Sequence, residues 1–131
     1  MQPKIILVET RRILLRVNDQ PTIEPELWNW LFSRGVAVLH AATTKRALEL
    51  LKKAQVDLIL SDLARQEGEI LNKKAGLQLA QEVRSIPSPV PLCIFTNHKD
   101  PAVHALARDA GANYVTESTL DLIRWLDQMG L

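Results

Sequence analysis

The sequence predicts an α/β domain built on a doubly wound, five-stranded parallel sheet. Short, continuously apolar, β-rich runs alternate along the chain with stretches of helical period. Strands that are apolar on both faces belong to a parallel sheet covered by helices on each side. Start and stop signals for helices fall between these runs, and no internal repeat, low-complexity tract or linker interrupts them.

The elements follow in order. Lys4 to Glu9 reads as an additional strand placed directly before the one at Ile13 to Val17. If Lys4 to Glu9 were the first strand of the sheet, the crossover behind it would contain an unexplained apolar segment, LLRV. With Arg12 to Asn18 as the first strand, the loop Asp19 to Ile23 has an ordinary length. We adopt the second choice. Residues 1–11 are then an N-terminal extension and residues 12–131 the domain. The extra strand must pair at a sheet edge, pack over a helix or pair with another chain.

Glu24 to Ser33 is the first helix and Val36 to Leu39 the second strand. Thr44 to Ala54 follows as a helix capped by Thr43 or Thr44, with Ala47, Leu48, Leu50 and Leu51 as its buried stripe. Val56 to Leu60 is the third strand and Gly76 to Arg84 the third helix. Pro91 to Phe95 is the fourth strand. Asp100 caps the next helix, Pro101 to Ala110, with proline at its first position and Gly111 closing it. Asn113 to Thr116 is the fifth strand. Ser118 or Thr119 caps the last helix, Thr119 to Met129, on which Leu122, Trp125, Leu126 and Met129 share a core-facing side.

Composition narrows the function. The 131 residues suffice for one domain, and 47% hydrophobic with 24% charged residues is the balance of a chain that buries a core. Sixteen basic against fifteen acidic residues leave +1, which argues against a nucleic-acid binder with a broad basic face and against a polybasic membrane anchor. The lone Cys93 cannot form an internal disulfide and lies in an apolar run. His40, His98 and His104 have no zinc-type spacing. Ile5 to Val8 is too short for a signal-peptide core or a bilayer span, so the expected location is the cytoplasm, with no membrane contact.

In an open doubly wound sheet, ligands bind beyond the carboxyl ends of the strands, where strand order reverses. Asn18-Asp19 follows the first strand, Asp62 the third, Thr96-Asn97 the fourth and Thr116-Glu117 the fifth. With order 2-1-3-4-5, Asp19 and Asp62 lie on adjacent central strands. Two carboxylates and a hydroxyl at one switch point suit a Mg²⁺ and a phosphoryl group.

At these residues the sequence resembles the receiver domains of bacterial two-component response regulators, which share the flavodoxin-like (βα)5 fold of CheY. LLRVNDQP is similar to the family's first strand ending in an acidic pair. AATTKRALELLKKAQVDLILSD resembles its second helix, third strand and phosphoacceptor. IFTN and GANYVTES resemble its fourth strand and its glycine-alanine turn with the fifth. The resemblance covers about residues 12–129. It implies Asp62 as phosphoacceptor and Asp19, Asn18, Asp62 and the Ala64 carbonyl around a Mg²⁺. It further implies Thr96 and Tyr114 as switch residues, with a histidine kinase or another signalling protein as partner.

The departures bear on chemistry. Asn18 replaces one of the acidic pair, and Glu117 stands where the family has a lysine. After Asp62 comes LARQEGEILNKKAG, longer than usual and without the family's proline, and DLAR resembles a divergent receiver-like subgroup with a D-x-x-R pattern. A carboxylate at Glu117 would face an acyl phosphate carrying roughly −2. At about 5 Å and an effective dielectric near 20, each pair of unit charges is worth about 3 kcal/mol. Arg65, Lys73, Lys74 and Lys99 are the loop cations at the same end that could contact an anion.

Three readings follow. The first in rank is a stand-alone, divergent receiver that keeps the fold, is not an enzyme and signals through protein contacts. A conventional Mg²⁺-dependent phospho-receiver is the second. A small flavodoxin-like cofactor-binding protein is the third, against which stand a missing glycine-rich loop after the first strand and a missing histidine in that loop. Leu27, Trp28, Trp30, Leu31 and Phe32 span an arc of roughly 200° on the first helix, more than one sheet face needs. That excess, with Trp125 on the last helix, suggests cover by the extra strand or by a homodimer partner.

Overall fold

The computed structural model describes residues 11–20, 23–87 and 90–131. The strands of the main sheet are β1 (Ile13–Val17), β2 (Ala37–Ala41), β3 (Leu58–Ser61), β6 (Leu92–Phe95) and β7 (Tyr114–Thr116). Two further strands, β4 (Arg65–Glu67) and β5 (Ile70–Asn72), form a separate antiparallel hairpin. The helices are α1 (Pro25–Ser33), α2 (Thr44–Lys53), α3 (Ala75–Arg84), α4 (Pro101–Ala110) and α5 (Thr119–Gln128). All pairings in the main sheet are parallel and its order is β2-β1-β3-β6-β7, the predicted 2-1-3-4-5 once the hairpin is set aside. The extra strand expected over Lys4 to Glu9 lies outside the described residues.

Side chains alternate across the strands and so build two cores. Leu15, Val17, Ile59 and Ile94 face Ala47, Leu79, Val83 and Ala107 of α2, α3 and α4. On the opposite face Leu14, Leu58, Leu60 and Cys93 meet Leu27, Leu31, Leu122 and Leu126 of α1 and α5. Burial pushes the Cys93 thiol well above its usual range, so it is inert packing. Arg16 breaks the pattern: it is 5% exposed in the middle of central strand β1.

The predicted caps form. Thr43 Oγ1 accepts from Arg46 N, Asp100 Oδ1 from Ala102 N, and Ser118 Oγ from Asp121 N. Gly111 ends α4 at φ +116°, a conformation only glycine adopts without strain. The stripe on α2 is shallower than expected, with only Ala47 fully buried and Leu48, Leu50 and Leu51 packing from the side. Met129 of the expected α5 face is exposed, because α5 ends at Gln128. On α1, Leu27 and Leu31 are buried while Trp28 and Phe32 stay exposed, so the wide apolar arc is not covered by the described residues. None of the described helices is long and apolar enough to cross a membrane.

The loop after Asp62 departs most from expectation. The sequence predicts a loop longer than usual here; the segment is a hairpin, with Arg65↔Asn72, Gln66↔Leu71 and Glu67↔Ile70 paired around a two-residue turn. Gly68 takes φ +68° at the first turn position, as a type II′ turn requires. The chain then enters α3 at Ala75, and the amide of Gly76, the next residue, donates to the Leu63 carbonyl at 2.8 Å. A Cβ at Gly76 would overlap the Asp62 carbonyl oxygen and lie 3.1 Å from Leu63 Cα, both rigid backbone.

Gly76→Ala is therefore expected to destabilise the domain, although alanine is the better helix former by about 1 kcal/mol. Overpacking against backbone costs about 1–3 kcal/mol, and here it outweighs the propensity gain. Urea unfolding should show a lower midpoint with an unchanged slope; an equal or higher midpoint would contradict this packing.

Candidate functional site

At the carboxyl end of the sheet lies an open cleft of about 360 Å³, lined among others by Arg16, Asn18, Asp19, Asp62, Ala64 and Thr96. The topology explains the gathering. β1 and β3 are adjacent, with Val17 opposite Ser61, so the residues that follow them emerge side by side. β6 adds Thr96 from the next position in the sheet. The site residues Asn18, Asp19, Asp62, Ala64 and Thr96 thus share one cleft.

Their partners are internal. Arg65, expected as a loop cation open to an anion, has a fully buried side chain. Its Nη1 donates to Asp62 Oδ1 at 2.5 Å and to Ser61 Oγ at 3.0 Å. Nη2 donates to Thr44 Oγ1 at 2.8 Å and to the Ala75 carbonyl at 3.3 Å, and Nε to Glu67 Oε1 at 3.1 Å. Glu67 also accepts from the Thr44 hydroxyl at 2.8 Å. Asp19 Oδ2 accepts from Gln66 N at 2.7 Å, and Asn18 Oδ1 from Gln20 N at 2.8 Å. The hairpin is therefore fastened to both carboxylates.

Burial pushes the Asp62 carboxyl up to about 6, with nearby Asp19 adding to the effect; Arg65 and, more weakly, Arg16 offset part of it. Arg16 is the second cation of the cleft. Burial lowers its pKa against the opposing pull of Glu24 and Asp62. Its Nε and Nη1 have no hydrogen-bond partner among the described residues.

Glu117, Tyr114, Lys73, Lys74 and Lys99, the remaining predicted positions, are not among the residues lining the cleft. Glu117 sits 3.8 Å from His104 Nε2 of α4. Tyr114 stacks on Trp125 of α5, with centroids 5.4 Å apart and planes 12° from parallel. Lys73 and Lys74 stand beside Ile70 and Leu71 at the hairpin, and Lys99 is not among the residues lining the cleft.

Comparison with known proteins agrees with this architecture. The family model described as the response regulator receiver domain matches residues 14–123. The chain belongs to this family. Among curated relatives, the receiver domain is 33% identical over 85 residues to the transcriptional regulatory protein GlrR of Escherichia coli (strain K12), covering 65% of this chain and 18% of that protein. It is 28% identical over 102 residues to the methanol utilization control regulatory protein MoxX of Paracoccus denitrificans, covering 76% of this chain and 44% of MoxX. The receiver domain thus spans less than half the length of each of these two. Among solved structures, the chemotaxis response regulator CheY4 of Vibrio cholerae superposes with a TM-score of 0.71 at 22% identity, covering 92% of this chain and 99% of that one. A response regulator from Thermotoga maritima gives 0.72 at 20% identity, with 92% and 98% covered.

Sequence reasoning missed five side chains or amides of this network: Arg16, Thr44, Ser61, Gln66 and Glu67. Only Arg16 left a readable signal, as the one charged residue inside ILLRV. Thr44 had been read as a cap, and Glu67 and Gln66 as loop residues.

Asp62 also sets a pH dependence. Its folded pKa of about 6 lies above the usual carboxylate value of 3.8, so the native state holds the proton more tightly. The resulting stabilisation is complete below about pH 4 and lost as pH rises through about 6, by on the order of 2 kcal/mol. Urea unfolding of wild type and Asp62→Asn from acid to neutral pH checks this: the difference between them should change across that window and be flat above it.

Proposed function

We propose that this receiver domain signals through protein contacts, with Asp62 serving as an internal ion-pair partner rather than as a working phosphoacceptor. The observation that carries the reading is the fully buried Arg65 guanidinium on Asp62 Oδ1. Phosphoryl transfer needs a carboxylate oxygen of Asp62 as nucleophile, and releasing Arg65 leaves a cation in the interior. Breaking one side of a buried pair costs about 3–5 kcal/mol.

The donor set also suits Mg²⁺ poorly as arranged. Receiver domains bind Mg²⁺ at their phosphorylation site, through hard anionic oxygens. Here Asp62 is already neutralised by Arg65, Asp19 is held by the Gln66 amide, and Asn18 carries no charge. A dication beside Asp62 would meet Arg65, and Arg16 lines the same cleft. Glu117, paired toward His104, adds no cation at the position where the resemblance implies a lysine. No phosphoryl step is assigned to this site.

The proposed partners are a histidine kinase or another signalling protein, the proposed location is the cytoplasm, and no catalytic activity is assigned. GlrR and MoxX are named as a transcriptional regulatory protein and a control regulatory protein, which fits a role in passing on a signal. The conventional phospho-receiver is the second reading. It is favoured by one observation, that Asp62, Asp19 and Thr96 line a single cleft.

Incubation with Mg²⁺ and acetyl phosphate, followed by intact-mass measurement, separates the two. The unaltered protein is expected to gain no phosphoryl mass. The double variant Arg65→Ala, Glu117→Lys is expected to gain one, because the lock is removed and the family's cation supplied. An adduct on the unaltered protein that disappears in Asp62→Asn would overturn the proposal in favour of the second reading.

A further inference from the structure

The hairpin that locks the acidic residues also leaves a strand edge open, and we infer that β5 pairs with β5 of a second copy of this chain. In a two-residue hairpin the pair flanking the turn, Glu67 and Ile70, exchanges its backbone bonds across the hairpin. The next pair, Gln66 and Leu71, must then direct its N–H and C=O groups outward. Gln66 does so, since its N–H leaves the hairpin to reach Asp19. That bond fastens the β4 edge to the domain, so the outward groups of Leu71 lie on the opposite edge, which no other strand of the described residues covers.

The side chains on this edge are apolar. Ile70 is 72% exposed and Leu71 55%, among the most exposed large hydrophobic residues described. An unprotected edge of this kind is a template for another strand. It is also pre-organised, because Arg65 and Glu67 tie its companion strand to Asp62 and Thr44, which cuts the ordering cost of association.

Charge complementarity selects the second copy as occupant. The edge strand reads Ile70, Leu71, Asn72, with Glu69 of the turn before it and Lys73 directly after it. Antiparallel pairing about a two-fold axis through Leu71 sets Leu71 against Leu71 of the partner subunit, which exchange two backbone bonds. The same register sets Glu69 opposite Lys73 of the partner subunit, and Lys73 opposite its Glu69. A one-residue slip faces the outward groups of Leu71 with residues whose own groups point into the hairpin, and a two-residue slip loses both ion pairs and faces Leu71 with Glu69 or Lys73. The result is a four-stranded antiparallel sheet joining two domains. A contact this small belongs to the weak, transient class of interface.

Sedimentation velocity from about 5 to about 500 µM tests the pairing, since weak dimers populate over that range. A concentration-dependent shift from monomer to dimer is expected. Glu69→Lys and Lys73→Glu should each weaken self-association by about tenfold, since each replaces two opposite-charge pairs with like-charge pairs. An equimolar mixture of the two variants should recover wild-type association, because the mixed dimer restores both pairs. Leu71→Pro should abolish association while leaving the hairpin's own bonds intact, with circular dichroism and thermal unfolding as controls for folding. A protein that stays monomeric throughout would overturn the inference. So would a dimer that is indifferent to these variants, which would direct attention to the Trp28 and Phe32 face of α1.

Discussion

The buried contact between Arg65 and Asp62 is the interaction on which the carboxyl end of this domain depends. Arg65 has five acceptors drawn from four parts of the chain: Asp62 and Ser61 at the end of β3, Thr44 at the start of α2, Ala75 at the start of α3, and Glu67 within the hairpin. A guanidinium offers five N–H donors in a rigid fork, and here its donors converge on fixed acceptors. That is why complete burial of the cation is sustainable. A desolvated charge is tolerated only when an opposite charge and well-placed hydrogen bonds replace its water. Asp62 supplies the first carboxylate and Glu67 the second.

This network makes the hairpin a clasp. Without Arg65 and Glu67 the segment after Asp62 would be a surface excursion with few apolar contacts, since Ile70 and Leu71 point to solvent. With them, the hairpin bridges α2, β3 and α3, and its Gln66 amide adds β1 through Asp19. The lining of the cleft is therefore braced by backbone and side chains of the same chain. Gly76 belongs to the brace as well: its missing Cβ lets α3 begin directly against the Asp62 carbonyl, which keeps the Ala75 carbonyl within reach of Arg65.

The fold was legible in the sequence because it rests on patterns with a short reach. Continuous apolar runs define the strands, and caps such as Thr43, Asp100 and Ser118 act within three residues of their own position. The location of the site was legible for a related reason: topology alone brings the ends of β1, β3 and β6 together. What could not be read was the identity of each partner. Thr44 and Arg65 are separated by 21 residues, and Asp19 and Gln66 by 47. Nothing in a local pattern links them. The hairpin was missed because QEGEIL carries one glycine and no β-branched run on its first strand, so it reads as loop until Gly68 is seen at φ +68°.

Arg16 is the second cation of this cleft, and its environment differs from that of Arg65. Where the resemblance implies a cation after the fifth strand, the chain has Glu117, 3.8 Å from His104 Nε2. A cation instead sits within the first strand, 5% exposed between His40 of β2 and Leu60 of β3, with Nε and Nη1 unmatched by any described acceptor. Burying such donors costs about 1–3 kcal/mol each, a cost no apolar residue at this position would carry. The compensating field comes from Glu24 and Asp62, whose charges oppose the desolvation of Arg16. Asp62 therefore lies between two arginines, one bonded to it and one acting through space. Replacing Asp62 by an apolar residue would remove the carboxylate that faces both cations, whereas an apolar residue at position 16 would leave the Arg65 bonds in place. The aspartate, 15% exposed and paired with a fully buried guanidinium, thus joins the polar lining of the cleft to the interior packing of the fold.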